Sequence, residues 1–184
     1  MLGDLPIGIP GVFGVICGPM KSGKTEQIIR LIQRLEFQKN LSYELYKPAA
    51  DTRSEDLYSR DKRRVACKTF NESSELLAVS SDLVIIDEIH LADKEIVSVI
   101  NELCRLQKHV LVLGLDLDRN TKVFGHMGSL LAHADYVKKI SAFCDVCGKP
   151  SRYSEYLGKE DSQNQILLGD KEYRAVCRDC YKKK

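Results

Sequence analysis

The sequence predicts an α/β fold, a mostly parallel sheet flanked by helices, with a smaller and differently patterned segment on its C-terminal side. Apolar β-branched runs alternate with stretches of helical periodicity, the first run opens into a glycine-rich loop, and the pattern changes after residue 141 where paired cysteines begin. The expected division is therefore 1–141 and 142–184.

Val12 to Cys17 is apolar and ends at Gly18-Pro19, a buried strand entering a loop. A helix follows from Lys24 to about Gln38, with Ile28, Leu31, Ile32 and Leu35 on one face and Gln27, Arg30 and Arg34 on the other. Tyr43 to Lys47 reads as a second strand closed by Pro48. Asp51 to Lys68 is polar and aperiodic, with the basic run Arg60-Asp-Lys-Arg-Arg64, and is expected to be a mobile, solvated connection. Leu83 to Ile86 is a central strand that delivers Asp87 and Glu88 to its carboxyl end. Ile96, Ile100, Leu103 and Cys104 mark one helix face, and Val110 to Leu115 is a further buried strand ending at Asp116. This alternation implies parallel βαβ units with right-handed crossovers. From Ala142 onward come the alternating stretch Tyr153 to Leu157, a polar insert from Gly158 to Gln165 and a solvated tail, Lys182 to Lys184.

Composition restricts the function. At 184 residues, 43% hydrophobic and 29% charged, the chain is an ordinary compact protein rather than a disordered or fibrous one. Its 28 basic and 26 acidic residues leave a net charge of +2, so no nucleic-acid partner is expected. No apolar run approaches the ~20 residues that span a bilayer, and Met1 to Pro10 lacks a signal peptide's pattern, so no membrane partner and a cytoplasmic location are expected. Seven cysteines, an odd count without an export signal, point to a reducing compartment, with Cys17, Cys67 and Cys104 as small buried side chains.

Gly18-Pro19-Met20-Lys21-Ser22-Gly23-Lys24-Thr25 fits G-x-x-x-x-G-K-[ST] between a strand and a helix, where phosphate binding requires it. Such a loop curls so that backbone N–H groups and the helix N-terminus face the phosphates of ATP, Lys24 neutralises them, and the Thr25 hydroxyl reaches Mg2+. Asp87 is placed to hold the same magnesium, and Glu88 to take a proton from an attacking hydroxyl or to activate water. The expected fold class is P-loop (RecA-like). Cys144-x-x-Cys147 and Cys177-x-x-Cys180 supply four thiolates, a closed structural Zn2+ site with no open position for catalysis. Four residues keep two readings each. His90 either orients Glu88 or is a satisfied surface or rim residue, Met20 either lines a substrate site or packs, and Asp116 and Asp118 either position substrate or cap the next turn.

From about Val12 to Tyr181 the chain resembles the type II thymidine kinases. The phosphate loop carries this, as do Lys47-Pro48 with Asp51-Thr-Arg53, Ile86-Asp-Glu88, Gly114-Leu-Asp116 with Phe124-Gly125, and the cysteine pairs with Tyr173. The resemblance implies transfer of the γ-phosphoryl of ATP to the 5′-hydroxyl of thymidine or deoxyuridine, with Glu88 as base. It places Met20, Asp51, Arg53 and Leu91 near the substrate, a lasso from about Gln165 to Tyr173 over the base with the Tyr173 ring beside it, and the chain in a cytosolic homotetramer. The chain departs from the family where Ile89-His-Leu-Ala92 follows the acids and where Arg119 stands near an expected aromatic, which bears on base recognition. A nucleic-acid-associated ATPase is the rival, since Asp87-Glu-Ile-His90 resembles a helicase acid motif, although length and charge weigh against it. A non-catalytic regulatory protein and a nucleoside kinase of altered base specificity are the others.

Overall fold

The structure is a computed structural model that describes residues 11–38, 41–52, 57–58, 64–158 and 172–181. In chain order the strands are β1 (Phe13–Cys17), β2 (Tyr43–Pro48), β3 (Leu57–Tyr58), β4 (Arg64–Val65), β5 (Lys68–Phe70), β6 (Leu83–Ile86), β7 (His109–Gly114), β8 (Tyr136–Lys139), β9 (Tyr153–Tyr156) and β10 (Tyr173–Val176). The helices are α1 (Lys24–Gln38), α2 (Ile96–Arg105) and α3 (Met127–His133).

Six strands form one sheet in the order β5-β2-β6-β7-β1-β8, and every pairing is parallel. Successive side chains of a strand point to opposite faces, so each central strand feeds two cores. Phe13, Val15 and Cys17 of β1, Val84 and Ile86 of β6, and Val110 and Val112 of β7 pack with Ile96, Ile100 and Leu103 of α2 and Met127 and Leu130 of α3. Ile16, Leu83, Ile85, Leu111 and Leu113 face the other way, onto Ile28, Leu31, Ile32 and Leu35 of α1. This double burial explains why β1, β6 and β7 read as unbroken apolar runs. A mostly parallel sheet covered by helices is thus the fold the sequence predicts.

Several elements differ from expectation. β5 and β8 occupy the two sheet edges and were not predicted. A three-residue strand is too short to show a period, and β8 alternates half-buried with exposed positions, including Lys138 and Lys139. Pro48 ends β2 from within it, opposite Phe70 of β5. A 3-10 turn over Ser73–Ala78 was also unforeseen; Glu72 and Glu75 cap its start reciprocally. In the stretch read as a featureless connection, β3 and β4 pair antiparallel, while residues 53–56 and 59–63 lie outside the described residues. Of the lone cysteines only Cys17 is buried; Cys67 and Cys104 are half-buried. β9 and β10 form a separate antiparallel pair in the cysteine-bearing segment. Among the described residues no helix is long and apolar enough to cross a membrane.

Candidate active site

The carboxyl ends of β1, β2, β6 and β7 open onto one edge of the sheet, where parallel α/β folds bind ligands. β1 delivers the loop from Gly18 to Thr25. Lys21 (φ 62°) and Gly23 (φ 83°) both take the left-handed conformation, which turns the loop sharply before α1 begins at Lys24. Gly18 is fixed by contact, since a β-carbon there would stand 2.3 Å from the carbonyl oxygen of Ile140. The Lys24 ammonium donates to the carbonyl oxygens of Gly18 (3.1 Å) and Pro19 (3.0 Å), folded over its own loop. The Ser22 hydroxyl is buried in the loop and makes no hydrogen bond within the described protein, as suits a site built for an anionic ligand.

β7 lies between β1 and β6, yet the two motifs meet across it: Thr25 Oγ1 is 3.5 Å from Asp87 Oδ2. Asp87 is buried, its N–H donates to Tyr46 O (2.9 Å), and its Oδ1 accepts the Glu88 N–H (2.9 Å). Glu88 itself sits at φ 51°, ψ 35°, a left-handed position that swings the chain into a 3-10 turn over Ile89–Leu91. Leu91, in that turn, is half-buried.

His90 is not a rim residue. It is buried at 6% exposure, because the turn after Glu88 drives it beneath the end of β7. Its Nδ1 accepts the Leu115 N–H (3.2 Å) and lies 3.5 Å from Glu88 Oε2, and its ring tilts against Phe124 at 4.4 Å. With Nδ1 accepting, the ring proton is assigned to Nε2. Two glycines allow this burial. A β-carbon on Gly114 would stand 3.1 Å from His90 Nδ1, and one on Gly125 would stand 2.5 Å from the His90 carbonyl oxygen. Asp118 Oδ1 accepts the N–H groups of Asn120 and Lys122 (2.8 Å each), so it caps the turn, while Asp116 pairs with Lys139 (3.2 Å).

Asp51 is buried after β2 and paired with the equally buried Lys47, whose ammonium reaches Asp51 O (3.1 Å) and Oδ2 (3.4 Å). Arg53 lies outside the described residues, as does the lasso up to residue 171. Tyr173, at the far end of the lasso, is buried; its ring lies 5.2 Å from that of Tyr156, and the Arg119 guanidinium lies 5.5 Å from the Tyr156 ring. Burial pushes the Tyr173 hydroxyl above its ordinary pKa. Tyr181 OH donates to Arg119 O (3.2 Å), which ties the end of the cysteine segment to the loop after β7.

The sulfur atoms of Cys144, Cys147, Cys177 and Cys180 all lie within 4.8 Å of one another, with Cys147 and Cys177 at 3.6 Å. A tetrahedral zinc with Zn–S bonds near 2.3 Å has S···S edges of about 3.8 Å, whereas a disulfide would bring two sulfurs to about 2.05 Å. Four thiolates in this arrangement suit a closed structural zinc. The same segment touches the phosphate loop twice: Met20 N donates to Ser154 Oγ (2.9 Å), and the Lys21 ammonium pairs with Asp145 (3.0 Å). The Lys21 hydrogen bond holds the Asp145 carboxyl below its usual range. Met20, half-buried, is held there by its backbone. Sequence reasoning missed Asp145, Ser154 and Tyr156, and gave Lys47, named with Pro48 in the resemblance, no role of its own. Only Asp145 left a signal, its place inside a C-x-x-C.

Comparison with known proteins completes the picture. The thymidine kinase family profile matches residues 11–181. A thymidine kinase of Bacteroides thetaiotaomicron is 39% identical over 176 residues, 93% of this chain and 87% of the relative. A thymidine kinase of Porphyromonas gingivalis is 37% identical over 178 residues, 94% of this chain and 86% of the relative. A solved DNA replication initiation factor superposes with a TM-score of 0.45 at 13% identity, over 73% of this chain and 42% of its own, too loosely to bear on function. Phosphate loop, acid turn and four-cysteine segment therefore stand within one matched span, and the chain belongs to the thymidine kinase family.

Proposed function

We propose that this protein is a thymidine kinase that moves the γ-phosphoryl group of ATP onto the 5′-hydroxyl of thymidine or deoxyuridine. The observation that carries this reading is the meeting of Thr25 and Asp87 at 3.5 Å with Glu88 next in the chain, inside a span matched to the family. Loop amides from Gly23 to Thr25 and the start of α1 receive the phosphates, and Lys24 exchanges the Gly18 and Pro19 carbonyls for phosphate oxygens. Thr25 and Asp87 would hold magnesium, which when bound offsets phosphate charge. Glu88 accepts the proton of the 5′-hydroxyl as its oxygen attacks phosphorus, and ADP departs. Met20, Asp51, Arg53, Leu91 and Tyr173 surround the nucleoside, and Zn2+ on the four cysteines staples residues 142–184 as a unit distinct from 1–141. We further propose a cytoplasmic homotetramer that does not act on nucleic acid.

Arg119 supports a second reading on the same chemistry. It stands near the position of an expected aromatic and stacks on Tyr156 next to Tyr173, so the pocket presents a cation where the family presents a ring. A panel of deoxynucleosides with labelled ATP separates the two: preference for thymidine supports the first, preference for another base the second, and turnover with none removes both. Glu88→Gln should bind ATP and lose transfer; unchanged transfer would show that Glu88 is not the base.

A further inference from the structure

We propose that Ser154 and Asp145, both on the four-cysteine segment, are positioning residues for the phosphate loop. This rests on the reading of that loop as the ATP site. In loops of this kind the backbone N–H groups turn toward the phosphates. The Met20 N–H does not, because it is donated to the Ser154 hydroxyl. The Lys21 side chain also points outward, to Asp145. The tip of the loop is thus held from outside, by groups that belong to another part of the fold, while the residues after it curl inward.

The two anchors share a foundation. Ser154 lies on β9, directly opposite Ala175 of β10. Asp145 is fixed to the same Ala175 twice: its N–H donates to Ala175 O (2.8 Å), and its Oδ2 accepts the Ala175 N–H (2.8 Å). Ala175 is fully buried and stands two residues before Cys177, while Asp145 stands between Cys144 and Cys147. A displacement of the cysteine segment therefore moves both anchors together. An exposed ion pair alone would contribute little. Lys21–Asp145 is half-exposed, but Ser154 is buried at 5%, and its bond to a backbone amide fixes the chain rather than a side chain. At Lys21 the backbone is left-handed without being glycine, a conformation that persists only where neighbours impose it. The anchors on Met20 and Lys21 are the contacts placed to impose it.

The experiment measures MgATP dissociation by calorimetry without nucleoside, together with KM for ATP and for thymidine, on the full chain. Ser154→Ala should weaken MgATP binding about fivefold, the effect of one lost hydrogen bond, and Ser154→Thr, which keeps the hydroxyl, should restore it. Zinc content should stay at the parent's value, and the melting temperature should fall by only a few degrees, about the effect of one hydrogen bond. Asp145→Asn and Lys21→Met should be less than additive when combined. MgATP affinity in Ser154→Ala within twofold of the parent, while Lys24→Ala abolishes binding, overturns the proposal. So does failure of Ser154→Thr to restore it. If Ser154→Ala does not fold, additivity in the Lys21/Asp145 pair overturns it and non-additivity supports it. A parent that binds no MgATP at all refutes the ATP-site reading instead.

Discussion

Gly125 presses its backbone against His90: a β-carbon at Gly125 would stand 2.5 Å from the His90 carbonyl oxygen. The loop after β7 and the acid turn after β6 are packed main chain to main chain, and Gly125 sits at φ +49°. Gly125→Ala adds both strain and a clash with an atom that cannot rotate away. It should cost about 2 kcal/mol in urea unfolding and lower kcat, since the displaced turn carries Glu88.

His90 offers a graded series. His90→Ala removes the acceptor of the Leu115 N–H and the ring against Phe124, and should cost about 2–3 kcal/mol. His90→Asn retains an acceptor near the Nδ1 position and should recover roughly half of that loss. Turnover should follow the same order, with kcat falling roughly tenfold in the alanine variant and KM for ATP little changed. Equal activity in all three would separate His90 from the placement of Glu88.

Asp51→Asn leaves the Lys47 ammonium buried beside a neutral partner. Removing one member of a buried ion pair costs about 3–5 kcal/mol, and the bond from Lys47 to the Asp51 carbonyl, which the substitution keeps, places this case at or below the lower end. Lys47→Met with Asp51→Asn should be more stable than Asp51→Asn alone, as chemical denaturation of the three variants would show.

Burial pushes the Cys17 thiol, with help from the nearby Asp116 charge, from 9.0 up to about 11. The folded state holds this proton more tightly than the unfolded state. The stability it contributes is complete below pH 9 and is lost as pH rises from 9 to 11, an effect of about 2–3 kcal/mol. Stability curves of the parent and Cys17→Ala should diverge in slope only in that window. Alkylation of Cys17 in the folded protein should be negligible at neutral pH.

Metal analysis should find one zinc per chain. Chelation, or Cys180→Ala, should lower the melting temperature and expose the tyrosines of β9 and β10, read as a change in tyrosine fluorescence.

The central sheet was legible in sequence because its strands are buried on both faces: Leu83 to Ile86 and α1 matched their expected limits, since every position carries a burial signal. Edge elements were not. Lys68–Phe70 and Tyr136–Lys139 hold their places through pairing with distant strands, which leaves no local period. Phosphate loop, acids and cysteines could be read as motifs because each chemistry demands fixed spacing. The burial of His90 could not, because it depends on Gly114 and Gly125, which permit contact by what they lack. Ser154 was silent for a related reason: a serine becomes informative only once its partner is known.

The strand that delivers the phosphate loop has no neighbour close to it in sequence. β1 at residues 13–17 pairs with β7 at 109–114 and β8 at 136–139, so the loop cannot take shape until both have been made. During synthesis the phosphate loop is therefore made long before the strands that hold β1 in place. A chain cut before Val110 would carry every residue of the phosphate loop and lack β7, the strand that joins β1 to β6 and the rest of the sheet.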